Sequence, residues 1–277
     1  MMELDSRQRA MLQEMGVRVW QPDPVSSPAP LPAPKPLQEP KPQQVPPPAP
    51  VPDPATALAL DTLDWPALAA AASQCAACGL CASRRCSTLL PPAGLPAPAC
   101  DWMVVGDAPD TAEDAEANPF AGDDGVLLDN MLRALGVQRV NVHPEGLEAA
   151  GPAPANPAQR AYVTNVVKCR PAHGQIPQAA DLAECAAYLA REIALVRPRV
   201  ILAMGRFALQ ALLGGVPELA GQPFGKLRGT VHHYAGIPVV VSYHPKQLMR
   251  QGADNARGKA QAWADLCLAA ATVQASR

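Results

Sequence analysis

Residues Cys100 to Leu128 read CDWMVVGDAPDTAEDAEANPFAGDDGVLL, and this stretch decides the fold. An apolar run from Trp102 to Val105 has the character of a buried strand, and it breaks at Gly106 into acidic and small residues. That loop carries Pro109, Glu113, Asp114, Pro119 and Phe120. A helix is expected to open near Gly125, with Leu127, Leu128, Met131, Leu132 and Leu135 at helical spacing. Strand, loop and helix in that order place the loop at the carboxyl end of a strand, where open α/β sheets bind ligands. The acidic side chains would repel a phosphate and the glycines lack nucleotide-loop spacing, so the loop reads as a pocket wall.

Working outward, the chain has 277 residues, but 15 of its 33 prolines fall between Pro22 and Pro54. From Gln21 to Pro54 the missing amide donors and fixed φ predict an extended, polyproline-like spacer. Residues Asp5 to Met15 carry Met11, Leu12 and Met15 on a helical repeat, a short amphipathic helix that would be marginal in isolation. The expected organisation is therefore a helix over 1–20, a Pro/Ala-rich linker over 21–60 and one folded domain over 61–277. Roughly 210 residues remain to build a core. The net charge of −2 gives no global attraction to nucleic acid, so any DNA contact must come from a local basic patch. No apolar run has membrane-spanning length and the amino terminus lacks the apolar stretch of a signal peptide, so a cytoplasmic, nucleoid-associated protein is expected. A monomer is expected, with the amino-terminal arm free to meet an unknown protein partner.

Eight cysteines in such a compartment read as metal ligands or buried thiols rather than disulfides. A helix over Asp64 to Ala72 leads into SQCAACGLCASRRCSTLL, where Cys75 and Cys78 form a CxxC pair. VVKCRP supplies Cys169 and LAECAAYL supplies Cys185. Four thiolates suit an iron-sulfur cluster or a structural zinc, and spacing alone leaves both open. A ferredoxin-like use of Cys75, Cys78 and Cys81 is a further arrangement.

The remainder alternates strands at Trp102 to Gly106, Ala161 to Val166, Arg199 to Met204 and Ile237 to Ser242 with helices at Gly125 to Leu135, Gln178 to Leu195, Phe207 to Leu213 and Asn255 to Ala271. That pattern predicts a three-layer αβα fold around a mainly parallel four-stranded sheet. FGKLRGTVHHYAGIPVV reads as a hairpin into the last strand, and Glu145 to Gln159 as a surface insertion. Three loops then share one sheet edge: GDAPDTAEDAEANPF, TNVVKCRP and SYHPKQLM.

With those motifs in place, the sequence resembles the family 4 uracil-DNA glycosylases, the iron-sulfur branch of that superfamily, over roughly Leu63 to Ala270. The likeness rests on QCAAC, GDAPDTAED with PFAGDDGVLL, TNVVKCRP with the Cys185 helix, and SYHP, all in family order. It implies an enzyme that flips deoxyuridine out of DNA, hydrolyses the N-glycosidic bond and leaves an abasic site. It implies a 4Fe-4S cluster on Cys75, Cys78, Cys169 and Cys185. His244 then looks like the donor to the leaving uracil, a group whose removal typically costs about 2.7 to 4 kcal/mol of barrier. Phe120 would stack on the flipped ring, Asn165 would pair with its Watson–Crick edge, and the backbone of Gly106, Asp107 and Ala108 would close the pocket. Lys168, Arg170, Lys246 and Arg250 would meet DNA phosphates, and Leu248 and Met249 would wedge the duplex.

The sequence departs from the family pattern at three places. Asp107 stands where Glu is common and Asp110 where Gly is common, and Lys246 and Gln247 replace small and aromatic residues. Asp110 would align a water or repel the leaving anion. Ala108 stands where the family 1 enzymes carry a water-activating Asp, which leaves Asp107 as candidate base, with Glu113 and Asp114 behind it. CRPAHGQIP contains His173 but no basic run, so turnover without a stable covalent adduct is expected. Acidic Asp110 and the long Pro-rich arm also admit an iron-sulfur module of the same fold that recognises DNA or a partner without cleaving. An electron-transfer protein would leave Phe120, Asn165 and His244 unexplained.

Overall fold

The computed structural model describes residues 60–92, 100–141, 153–173, 175–219, 222–250 and 256–275, all within the unit Pro52–Arg277. The expected amino-terminal helix and Pro-rich spacer lie outside the described residues, as does most of the 145–159 insertion.

Six strands form one sheet: β1 (Trp102–Gly106), β2 (Gln138–Arg139), β3 (Arg160–Asn165), β4 (Val200–Met204), β5 (Val231–Tyr234) and β6 (Ile237–Ser242), in the order β2-β3-β1-β4-β6-β5. Every pairing is parallel except the β5–β6 hairpin. The four expected strands are its centre, and β2 and β5 extend it on either side. Buried on both faces, the central strands carry continuous apolar runs rather than alternation. Met103, Val105, Ile201, Ala203, Val239 and Val241 face one core cluster, while Trp102, Val104, Val200, Leu202 and Val240 face the other. This is the period-two division that a pleated strand imposes.

Helices α1 (Trp65–Gln74), α2 (Thr111–Glu116), α3 (Asp123–Ala134), α4 (Ala179–Val196), α5 (Arg206–Leu213), α6 (Phe224–Leu227), α7 (Pro245–Arg250) and α8 (Ala256–Ala275) complete the described fold. Leu182, Leu189, Ile193 and Val196 of α4 and Ala208 and Leu212 of α5 pack on one face; Leu128 and Leu132 of α3 and Leu266 and Ala269 of α8 pack on the other. A third cluster, Leu68, Ala72, Leu89 and Tyr188, seats α1 against α4. Asp64 caps α1 by accepting from the Ala67 N–H at 3.0 Å, which sets where the cysteine segment begins. None of the described helices is long and apolar enough to cross a membrane.

The register brings the loops together. Gly106 is opposite Asn165 across β1–β3, and Met204 is opposite Ser242 across β4–β6. The segments after β1, β3 and β6 therefore leave the sheet side by side. α3 opens at Asp123 rather than Gly125, and the acidic loop before it contains α2, a helix the sequence pattern did not foretell. Its N-cap is Asp110, whose side chain accepts from Ala112 and Glu113 while Glu113 accepts from the Asp110 N–H, a complete capping box. A segment without apolar periodicity is thus made helical by its cap.

Candidate active site

Glu113 is the hub of this edge. Its side chain is 1% exposed, and its carboxylate accepts from the Phe120 N–H at 2.6 Å, the Asn165 Nδ2 at 2.9 Å and the Asp110 N–H at 2.8 Å. Asn165 Nδ2 also donates to the Asp107 carbonyl at 3.1 Å. Both partners are acceptors only, so the amide can take one orientation alone. Its Oδ1 is buried and has no hydrogen-bond partner, an acceptor held ready for a donor that enters the site.

Phe120 is fully buried with φ +55, a left-handed conformation costly for an aromatic residue. Three contacts hold it there. Glu113 takes its N–H, Arg139 Nη1 donates to the Pro119 carbonyl at 2.7 Å, and Gly125 admits the Phe120 carbonyl where a Cβ would stand 1.8 Å from its oxygen. Arg139 is itself held by Asp129 at 2.8 Å. The Phe120 ring lies over Gly106, where a Cβ would be 2.3 Å from Cζ, and stacks on His244 with centroids 4.8 Å apart at 11°. Gly106 is small because the ring needs its space.

His244 is 6% exposed. Its Nδ1 accepts from the Lys246 N–H at 3.2 Å, so the ring proton of the neutral form sits on Nε2. Burial first, then the nearby Lys246 charge, lower its pKa to about 3, with Asp110 opposing and Arg250 adding a lesser push downward. It is a neutral donor across the physiological range. Lys246 extends its side chain back across the loops to Asp110 at 2.7 Å, with Asp124 at 3.7 Å and Glu113 at 3.8 Å.

Several expected roles are corrected. The Asp107 carboxylate accepts from the N–H groups of Phe207 at 2.7 Å and Ala208 at 3.2 Å, capping α5 from the neighbouring strand end. It lies against Gly205, and burial raises its pKa despite those bonds. The residue serves the site through its carbonyl, so its candidacy as a base is withdrawn. Ala108 is half-buried and packs on the core beneath. Lys168 is 2% exposed and its ammonium is bound by Glu192, Thr164 Oγ1 at 2.8 Å and the Asn165 carbonyl at 2.7 Å, so it does not reach DNA. Arg170 is partly exposed but pairs with Asp114 at 3.2 Å and donates to the Ser83 carbonyl at 3.1 Å. Asp114 also accepts from the N–H groups of Arg85 and Cys86, which makes it a tie rather than a base. Leu248 is 2% exposed and cannot wedge a duplex, whereas Met249 is 43% exposed and Arg250 lies at the surface beside it. Lys246 is committed to carboxylates rather than directed outward. Glu113 is the residue whose weight sequence reasoning missed, although Asp-x-x-Glu at 110–113 is the signature of the cap that positions it.

The four cysteines expected to act together share one region. Cys169 and Cys185 are buried and Cys75 and Cys78 half-buried, all as free thiols. Burial raises Cys78 to about 11 and Cys185 to about 12, and each thiol of the four is within electrostatic reach of at least one other: Cys78 of Cys75 and Cys169, Cys185 of Cys78 and Cys169. Arg84 Nη1 points at the Cys169 sulfur from 3.2 Å. Among the described residues no three His, Cys, Asp or Glu side chains converge closely enough to hold a single metal ion.

Comparison with known proteins agrees with this geometry. The family model of the uracil DNA glycosylase superfamily matches residues 93–267. The type-4 uracil-DNA glycosylase of Pyrobaculum aerophilum is 33% identical over 158 residues, 54% of this chain and 69% of that relative. The type-4 enzyme of Archaeoglobus fulgidus is 30% identical over 151 residues, 53% of this chain and 66% of the relative. That of Thermotoga maritima is 30% identical over 159 residues, 56% and 69% of the two chains. The matched portion spans about two thirds of these relatives.

Proposed function

The chain belongs to the uracil-DNA glycosylase superfamily, and from that we propose that it excises uracil from DNA, acting on a deoxyuridine turned out of the strand and leaving an abasic site. The observation that carries the reading is the fixed amide of Asn165. Its unpartnered Oδ1 suits the N3–H of uracil. Cytosine has a lone pair at that position, so the same amide opposes it. The Phe120 ring offers the flat apolar surface on which a flipped pyrimidine stacks.

Cleavage moves the electron pair of the C1′–N1 bond onto the uracil ring, where it spreads to O2, while a water oxygen bonds to C1′ and loses one proton, which balances the uracil anion as it is released as neutral uracil. His244 is a neutral imidazole with its proton on Nε2, suited to meet the charge developing on O2. Stabilisation of the leaving group, rather than a strong base, is what this arrangement supplies. Asn165 and Phe120 have no exposed surface and His244 little, so base entry requires the segments bearing Phe120 and His244 to part. Of the four cations assigned to DNA on sequence grounds, Arg250 with Met249 beside it keeps that assignment. Asp110, one of the two features that favoured a non-cleaving module, is neutralised by Lys246, and the enzyme is the reading we retain, working with DNA in the cytoplasm.

We further propose that Cys75, Cys78, Cys169 and Cys185 hold a 4Fe-4S cluster. Their mutual proximity supports a shared group, and four thiolates suit such a cluster. When bound, such a cluster cross-links the α1 segment to β3 and α4.

The test is cleavage of a labelled oligonucleotide containing one deoxyuridine, followed by hot alkali, with the wild type and His244→Ala compared. Strand scission by the wild type alone is expected. A brown, iron- and sulfide-loaded wild type that leaves single- and double-stranded substrate intact would overturn the assignment.

A further inference from the structure

Asp110 and Lys246, 136 positions apart in the chain, are partners in space. Lys246 Nζ lies 2.7 Å from Asp110 Oδ2, and it is also the nearest cation to Asp124 and Glu113 at 3.7 and 3.8 Å. The Asp124 Oδ2 is buried and has no hydrogen bond of its own. Three carboxylates therefore gather on one ammonium, and both Lys246 and Asp110 lie within electrostatic reach of His244. Left unbalanced, they would oppose any negative charge that develops there. The same residue acts through its backbone as well. Its N–H donates to His244 Nδ1, and the His244 carbonyl receives the Gln247 N–H at 2.9 Å, which starts α7. The side chain anchors to the N-cap of α2 and reaches the first turn of α3, while the main chain orients the imidazole.

We propose that Lys246 is a positioning residue that makes an acid-lined pocket compatible with an anionic leaving group: its ammonium offsets Asp110, Glu113 and Asp124, and its anchored side chain holds the turn that aims His244. The inference rests on uracil excision as the activity, and it concerns the rate of bond cleavage rather than DNA affinity. It replaces the phosphate contact that the sequence suggested for this lysine. The shifts of the closest pair agree, whereas burial raises the pKa of Glu113 and Asp124, with Lys246 acting against that rise in both. Burial opposes the charge of Lys246, yet its carboxylate neighbours raise its pKa; burial likewise opposes Asp110, but its bonds to Lys246 and to the α2 N–H groups lower its pKa.

The experiment is a double-substitution cycle on the cluster-loaded full chain: wild type, Lys246→Met, Asp110→Asn and the pair. It measures single-turnover excision at saturating enzyme, and the dissociation constant for the same duplex at several salt concentrations. Lys246→Met is expected to lower the single-turnover rate about 100-fold and to leave the salt slope of binding unchanged. Adding Asp110→Asn is expected to recover about tenfold, because the charge left without a partner is then removed. Lys246→Arg keeps the charge and should stay within about tenfold of wild type. Melting temperature and cluster absorbance report folding, and Lys246→Gln, which retains a polar contact to Asp110, takes the place of the Met variant if that variant does not fold. An unchanged rate with a salt slope smaller by about one would make Lys246 a phosphate contact and overturn the proposal, as would strictly additive effects in the cycle. Absence of excision by the wild type itself would instead refute the activity on which the proposal rests.

Discussion

Glu113→Ala tests the logic of the pocket most directly, and Glu113→Gln calibrates it. The carboxylate accepts three N–H donors, two at Oε1 from Phe120 and Asn165 and one at Oε2 from Asp110. Hydrogen bonds to a charged group contribute about 1.5 to 3 kcal/mol each, and a donor left buried without a partner costs about 1 to 3 kcal/mol. Alanine removes all three acceptors. Water and relaxation recover part of the loss, so a rise of about 2 to 4 kcal/mol in the excision barrier is expected, or about 30- to 1,000-fold in rate. Glutamine should do less damage. Its oxygen can occupy the Oε1 position and keep Phe120 and Asn165, losing only the Asp110 N–H, so its uracil rate should lie within about 10- to 30-fold of wild type. The sharper readout is discrimination. With alanine, Asn165 keeps only the Asp107 carbonyl and can rotate, so the ratio of uracil to cytosine excision should fall; with glutamine it should hold. Single-turnover assays on deoxyuridine and deoxycytidine oligonucleotides measure both. A Glu113→Ala enzyme with wild-type discrimination would refute the role given to the fixed amide. Equal losses for Ala and Gln would show that charge, rather than the orientation of Asn165, is what Glu113 provides.

His244 has a folded pKa of about 3, below the unfolded value of about 6.5, so between those values the unfolded chain binds the extra proton. Stability should therefore fall as pH drops through this window, by about 1.4 kcal/mol per unit from this group, and denaturant titrations of His244→Gln should lack that share of the slope. Gly106→Ala places a Cβ 2.3 Å from the Phe120 ring and 3.3 Å from His244 Nε2; excision should fall at least tenfold and the melting temperature should drop as for a core disruption, since the displaced ring is fully buried. Lys168→Met leaves Glu192 buried with one cation fewer and should cost about 3 to 5 kcal/mol of stability, whereas adding Glu192→Leu should recover part of it. The salt slope of DNA binding should not change in either, because Lys168 does not reach the surface.

The central sheet was legible because its strands are apolar without interruption, and the parallel order followed from the alternation of WMVVG, YVTN, VILAM and PVVVS with helical segments. Three loops at one edge is then a consequence of topology, which is why Phe120, Asn165 and His244 could be grouped from sequence. β2 is only two residues, Gln138 and Arg139, with no apolar pattern to betray it. α2 has no apolar stripe and exists by virtue of its cap. The misjudged side chains fail for another reason. A lysine within TNVVKCRP reads as surface, and its burial depends on Glu192, which sits in α4 among Ile193, Leu189 and Val196. Lys246 and Asp110 each looked like an isolated departure because 136 positions separate them in the chain, and only the meeting of the β1 and β6 loops makes them a pair.

The tripeptide Lys168-Cys169-Arg170 shows how the proposed cluster would matter for excision without an electron-transfer role. Lys168 holds the Asn165 carbonyl on one side and Glu192 of α4 on the other, the same helix that carries Cys185. Arg170 holds Asp114 of α2, and Asp114 in turn takes the Arg85 and Cys86 N–H groups of the segment that follows Cys75 and Cys78. Both routes start within one residue of Cys169, and each ends on a loop of the candidate site, one at Asn165 and one at the helix that presents Glu113. A group that fixes Cys169 against Cys75, Cys78 and Cys185 therefore also fixes the acceptor that reads the base and the carboxylate that orients it. Loss of that group would loosen both ends together, a mechanical dependence of activity on the cluster with no change in oxidation state anywhere in the cycle.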